Sequence, residues 1–250
     1  MARTFKVLSA LLSYPSEAIV AAAPDMRLVL RSEALIDRRG LARLETVLDE
    51  LVTLDLYDLQ ERYGLLFDRT RSLSLHLFEH VHGESRDRGQ AMVDLMQVYA
   101  RAGMEIGASE LPDYLPLFLE FLSTQPLANA LELLSQPAHI LAALAERLKK
   151  RKSSYAAVPD ALARLAEADP NAAEVRQLVD LPGDDPNDLE ALDAQWLDEE
   201  VRFGPGAQDA YGAGSLVPKL RAASRPAPGA NVSRPTGPRT VITHSVSRLR

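Results

Sequence analysis

SLSLHLFEHVHGESRDRGQAM, residues 72–92, holds three of the chain's five histidines, two glutamates and an Arg-Asp-Arg triplet between two apolar helical patterns. Leu73, Leu75, Leu77, Phe78 and Val81 alternate with Ser72, Ser74, His76, Glu79, His80 and His82. Periodicity alone therefore fits a short strand as well as a helix. The flanking segments favour helix, with Gly83 as a left-handed cap and Ser85 as N-cap of the following helix, its hydroxyl accepting an unpaired first-turn amide.

Outward from this stretch the chain reads as helices, without a convincing strand. Phe5, Val7, Leu8, Leu11 and Leu12 recur at helical spacing, and Tyr14 before Pro15 stops that helix. Residues 40–67 carry the stripes Leu41, Leu44, Leu48, Leu51 and Leu56, Leu59, Tyr63, Leu66, one or two core-facing helices. Met92, Leu95, Met96 and Tyr99 follow i, i+3, i+4, i+7, and Gly103 closes their helix. Gly89 in its first turn reads as tolerated at roughly 1 kcal/mol. In SELPDYLPLFLEFLS, residues 109–123, Asp113 is the favoured N-cap, because Pro116 is allowed only near a helix start. Helical patterns continue through LANALELL, PAHILAALAERLKKRKSS, VPDALARLAEA, NAAEVRQLV and the acidic DLEALDAQWLDEEVRF. The expected fold is all-α: a single compact multi-helix domain over residues 1–203, then a disordered Gly/Pro/Ser/Arg-rich basic tail over 204–250.

An apolar fraction of 46% over 250 residues is enough for a core. The absence of cysteine excludes disulfides, thiolate zinc sites, Fe-S ligation by the chain and cysteine nucleophiles. No secretory cleavage pattern or span of about 20 apolar residues occurs, so a soluble cytoplasmic protein without a transmembrane segment is expected. The seven basic residues beyond Gly212 have no acidic companion, which leaves 21 basic against 35 acidic side chains, a charge of −14, in residues 1–211. Such a body disfavours nucleic acid and suits a basic peptide.

His76, Glu79, His80 and His82 offer H-x-x-x-H and E-x-x-H spacings that can place two metal ligands on one helical face. A helical metalloenzyme built on this cluster is the alternative function. The competing readings are structural histidines and a partner-binding face. There is no phosphate-binding glycine loop, dinucleotide fingerprint or nucleophile elbow, so nucleotide and acyl chemistry have no seat.

The runs LHLFEHVHGESRDRGQAMVDL (75–95) and ELPDYLPLFLEFL (110–122), with LLSYP (11–15), ERYGLLFD (61–68) and WLDEEVRFG (196–204), resemble the nitrate reductase molybdenum cofactor assembly chaperones, the NarJ family. The likeness spans most of residues 5–204. The wider class of redox-enzyme maturation chaperones is marked by Glu-x-x-Asp-His; Glu110, Leu111, Pro112 and Asp113 fit it, while Tyr114 replaces the histidine and removes a titrating role there. The resemblance implies a non-catalytic all-helical chaperone that holds no cofactor permanently and assists molybdenum cofactor insertion into its client. Its implied partners are the N-terminus of the nitrate reductase catalytic (alpha) subunit, the apo alpha-beta complex and molybdenum cofactor biosynthesis proteins. A helix-in-groove mode would place Tyr63, Phe67, His76, His80, Pro112, Tyr114 and Phe118 along a peptide groove, with Glu79, Arg86, Asp87, Glu110 and Asp113 supplying charge. Protonation of His76 and His80 near pH 6 to 7 would then act as a release switch.

Overall fold

The computed structural model describes residues 1–82, 86–107 and 110–181, together with the backbone of 240–242. Gly83 and Ser85, the acidic segment 188–203 and the rest of the basic tail lie outside the described residues, as do the side chains of His82 and Arg86.

Twelve α-helices follow one another among the described residues: α1 Arg3–Leu11, α2 Glu17–Ala21, α3 Ala23–Glu33, α4 Arg38–Thr53, α5 Leu56–Tyr63, α6 Glu79–His82, α7 Arg86–Arg101, α8 Leu115–Ser123, α9 Leu127–Ser135, α10 Ala138–Lys150, α11 Ala157–Leu165 and α12 Ala173–Asp180. Local chemistry sets several starts. Ser16 Oγ accepts from Ile19 N at 3.4 Å, an Asp37 oxygen from Gly40 N at 2.7 Å, and an Asp55 oxygen from Tyr57 N at 2.8 Å, each satisfying a first-turn amide. At the other end of α7, Gly103 has φ +79° and turns the chain out of the helix, as its position after the apolar stripe predicts.

The centre is α8. Its LPLFLEFLS sequence is apolar nearly all round, and Leu115, Leu117, Phe118, Leu119, Phe121 and Leu122 are all buried. α1, with Phe5 and Leu8 fully buried, packs along it, and Ser9 Oγ donates to the Pro116 carbonyl at 2.6 Å. α10 lies between α11 and α12 in a second layer. There Arg147, nearly buried, donates to the carbonyls of Ser72 and Leu178, tying α12 and the turn Arg71–Leu73 to α10. No helix among the described residues is long and apolar enough to cross a membrane.

The helical reading therefore holds, with three local differences. Met104–Ile106 (β1) pairs in parallel with Thr240–Ile242 (β2), a three-residue ladder where no strand was expected. All three residues of β2, Thr240, Val241 and Ile242, are β-branched and have the propensity for it, whereas β1 contributes only Ile106 of that kind. The second difference lies in the histidine-rich stretch. Only Glu79–His82 is α-helical there; the chain bends at Leu75, His76 bridges Tyr114 in antiparallel fashion, and Leu77 and Phe78 form a turn closed by Glu79 N donating to His76 O at 3.2 Å. The backbone here is satisfied across the chain: Leu115 N donates to Leu75 O at 2.8 Å and Leu77 N to Asp113 O at 3.1 Å. Third, Asp113 does not cap α8. Tyr114 occupies the cap position without a side-chain bond and Pro116 sits in the first turn, because the Asp113 carboxylate is engaged elsewhere.

Candidate functional site: the Asp113 junction

Two segments far apart in sequence, 74–80 and 110–114, meet ahead of α8. Asp113 is fully buried. One carboxylate oxygen accepts the Phe78 amide at 3.1 Å, and the other lies 3.2 Å from His76 Nδ1. Since a carboxylate only accepts, His76 carries its proton on Nδ1 when neutral. His76 N in turn donates to Ser74 Oγ at 3.2 Å, and His80 Nε2 donates to the Ser74 carbonyl at 2.8 Å. Tyr99, from α7, closes the floor by donating to the Pro112 carbonyl at 2.7 Å. Every polar group of the junction named here has a partner, which makes it a rigid support.

Its outer side is a row of rings. The His76 ring lies 5.3 Å from that of Tyr114. The Tyr114 hydroxyl is 3.4 Å from the Tyr63 hydroxyl, and because Tyr63 donates to the Leu12 carbonyl at 2.9 Å, Tyr114 is the donor in that pair. Tyr63 meets Tyr14 edge-on at 5.5 Å. Burial decreases toward the two ends of the row: Tyr63 is buried, Tyr114 is half-buried, the His76 side chain is 30% exposed and Tyr14 is 52% exposed.

Electrostatics separates the two histidines. Burial pulls His76 down, but the hydrogen bond and charge of Asp113, helped by Glu79, more than offset it and hold the imidazole above its ordinary range. For His80 burial wins and the pKa falls. The two pKa values therefore shift in opposite directions from a common starting value, so His76 takes up its proton at higher pH than His80. Burial also raises Tyr114, with Glu110 and Asp68 adding to it. Those two carboxylates, with Glu79, place negative charge around the exposed end of the ring row.

The residues expected to line a peptide groove thus fall into two groups. Tyr63, Phe67, Phe118 and Pro112 are buried: Phe67 packs 4.9 Å from Tyr63 and 5.3 Å from Tyr155, and Phe118 sits inside α8. They shape the support. His76, Glu79, His80, Glu110 and Tyr114 retain surface, and Asp87 is exposed in the first turn of α7. Glu79 accepts from Arg88 at 3.0 Å, and the side chain of Arg86 lies outside the described residues. Sequence reasoning missed Tyr14, Asp68 and Tyr99 as members of this region; Tyr14 registered only as the residue that stops α1 before Pro15. Among the described residues, no three His, Asp or Glu side chains converge to hold a metal. His76, Glu79 and His80 instead face Asp113, Arg88 and the Ser74 carbonyl.

Comparison with known proteins agrees with the sequence resemblance. The profile of the family described as "Nitrate reductase delta subunit" matches residues 36–158. The nitrate reductase molybdenum cofactor assembly chaperone NarJ of Escherichia coli (strain K12) is 42% identical over 198 residues, 79% of this chain and 83% of that protein. The chain belongs to the NarJ family. The probable chaperone NarW of the same strain is 41% identical over 198 residues, covering 79% of this chain and 82% of NarW. The probable NarJ of Bacillus subtilis (strain 168) is 34% identical over 157 residues, 61% of this chain and 82% of that protein. Membership in the NarJ family makes this protein a system-specific assembly chaperone and not an enzyme, and nothing supports the metalloenzyme alternative. The Asp113 junction lies inside the stretch matched by the family profile.

Proposed function

We propose that this chaperone binds the N-terminal segment of the catalytic subunit of membrane-bound respiratory nitrate reductase in the cytoplasm. It holds the apo alpha-beta complex while Fe-S clusters and molybdenum cofactor are installed, and it leaves before or as the enzyme docks on the membrane. It keeps no cofactor itself; cofactor biosynthesis proteins meet the client while the chaperone is bound. The kinship with NarJ over 83% of that protein's length carries this reading.

The surface that suits such a peptide is the exposed side of the Asp113 junction. Tyr14, Tyr114 and His76 offer apolar and aromatic area for one face of an amphipathic helix. Asp68, Glu79, Asp87 and Glu110 offer charge for its basic residues. The rigid floor below lowers the ordering cost of binding, since its side chains are already held.

Calorimetric titration with a synthetic peptide copying the catalytic subunit's N-terminus from the same genome tests the proposal. Saturation near one peptide per chain, loss on scrambling, and weakening as salt rises from about 50 to 200 mM are expected. Tyr114→Ala should weaken binding by about tenfold, roughly 1.4 kcal/mol. Absence of binding by calorimetry and by a second method would overturn the client assignment. Intact binding by Tyr114→Ala would move the site elsewhere.

A further inference from the structure

We propose that the cleft between α4, the end of α10 and the start of α11 binds a phosphate-type dianion, either free or as the head of a phosphomonoester. This site is separate from the Asp113 junction and does not rest on the client assignment.

The cleft measures about 360 Å³ and is lined by Arg43 and Thr46 of α4, Lys149 of α10, and Lys152, Ser153 and Ser154 of the turn into α11. Three cations thus face one concavity whose lining has no carboxylate, in a chain whose first 211 residues carry −14; of its hydroxyls, Ser154 already donates to Glu50 at 2.5 Å and Thr46 to the Ala42 carbonyl at 3.4 Å. The volume lies in the range of small-ligand sites and exceeds what a bare phosphate fills.

The cations are also preorganised. Asp160, nearly buried, holds Arg43 Nη2 and Lys149 Nζ at 2.7 Å each, and Arg164 Nε at 2.9 Å. Lys149 also meets Glu146 at 2.8 Å and Arg164 meets Asp37 at 3.7 Å, so with Lys152 the cluster sets four cations against three carboxylates. Arg43 and Lys149 nevertheless keep 41% and 40% of their side chains exposed, so Arg43 can take an anion beside Asp160, and Lys149 one beside Asp160 and Glu146. Ser153 Oγ accepts the Tyr155 amide at 3.3 Å, which leaves its proton to donate.

Lys152 supplies the third cation from an exposed turn position at φ +55°, a backbone region that favours glycine over lysine. It has no ion pair among the described residues. A run of lysines at a helix C-terminus is usually a complement to the carbonyl end, and Lys150 donates at 3.4 Å to the Val179 carbonyl in the last turn of the neighbouring α12. That role does not account for Arg43, which arrives from another helix to face Lys149 and Lys152. A tetrahedral dianion matches the set, because a guanidinium gives two parallel donors and each ammonium a point charge.

The test is an NMR titration of the ¹⁵N-labelled full chain with inorganic phosphate, then with adenosine monophosphate, at constant ionic strength made up with chloride. Saturable shifts confined to amides near Arg43–Thr46 and 152–157 are expected. Lys152→Gln should weaken both ligands by about tenfold with an unchanged melting temperature, as should Arg43→Gln if Asp160 keeps its other partners. Tighter binding of the nucleotide than of phosphate assigns the site to a phosphomonoester; equal binding assigns it to the free anion. Shifts that stay linear to high phosphate, or saturation unaltered in Lys152→Gln, would overturn the site. Displacement of phosphate by a hexaglutamate peptide at lower concentration would overturn the small-ligand assignment in favour of an acidic chain.

Discussion

Replacing Asp113 tests the junction most directly. Asp113→Ala removes the carboxylate oxygen that accepts the buried Phe78 amide at 3.1 Å, and losing such an acceptor costs about 1–3 kcal/mol. It also removes the acceptor 3.2 Å from His76 Nδ1, worth about a further 1 kcal/mol because that ring is partly exposed. The backbone bonds from Leu77 to Asp113 and from Leu115 to Leu75 survive, so the loss should be local, about 3 kcal/mol, or about 6–12 °C in melting temperature for a domain of this size. Asp113→Asn keeps an acceptor for Phe78 and removes only the charge facing His76. Because the His76 pKa is raised in the folded state, the stability this pair supplies is fully present below the unfolded value of about 6.5 and is lost as pH rises through the folded value. Urea unfolding at about pH 5.5, 7 and 8.5 should therefore show the Asn penalty largest at the acid end and smallest at the alkaline end. An Asp113→Ala protein within about 0.5 kcal/mol of the parent, or an Asn penalty that stays flat or grows with pH, would refute the reasoning.

Three further outcomes are expected. Arg147→Met removes the donors to the Ser72 and Leu178 carbonyls and should cost about 2–3 kcal/mol in chemical unfolding, with residues 173–181 becoming the first site of limited proteolysis. Gly89→Ala, whose new methyl meets nothing within 4 Å, should stabilise α7 by roughly 0.5–1 kcal/mol, whereas Gly103→Ala at φ +79° should destabilise by about 1 kcal/mol; paired thermal melts with opposite signs check both. His80 has a lowered folded pKa, so its contribution is present above about pH 6.5 and lost as pH falls toward that lower value; His80→Gln should flatten this part of the acid limb of the stability profile, and an unchanged limb would show that His80 does not contribute to it.

The helices were legible because each carries its own evidence: Leu44, Leu48 and Leu51 of α4 are a 3.6-residue stripe and all three are buried. The helical pattern of α8 was legible too, but its central place was not: Phe118, expected along a groove, is buried with Leu117 and Phe121. Ser74–Phe78 was harder. Alternation there fits strand or helix, and the outcome is decided by the backbone partners at Leu115 and Asp113, which no local window contains. The same limit applies to Asp113. Its placement before Tyr114 and Pro116 makes it a good local N-cap, but a buried site 35 residues from Phe78 in sequence competes for the same oxygen and wins.

The candidate site was half legible for a related reason. Asp113, His76 and Tyr114 were identified separately, and their residue types could not reveal that one hydrogen-bonded unit contains them all. Tyr114 stands where the wider class of maturation chaperones has a histidine, which suggests that no titrating group remains at the junction. The fold supplies one from elsewhere: His76 brings an imidazole to within 3.2 Å of the Asp113 carboxylate and 5.3 Å, ring to ring, of Tyr114. A motif read along the chain records which residue follows which. Proton chemistry depends on which residue faces which, so the loss of a histidine from a motif does not remove an imidazole from the site that the motif marks.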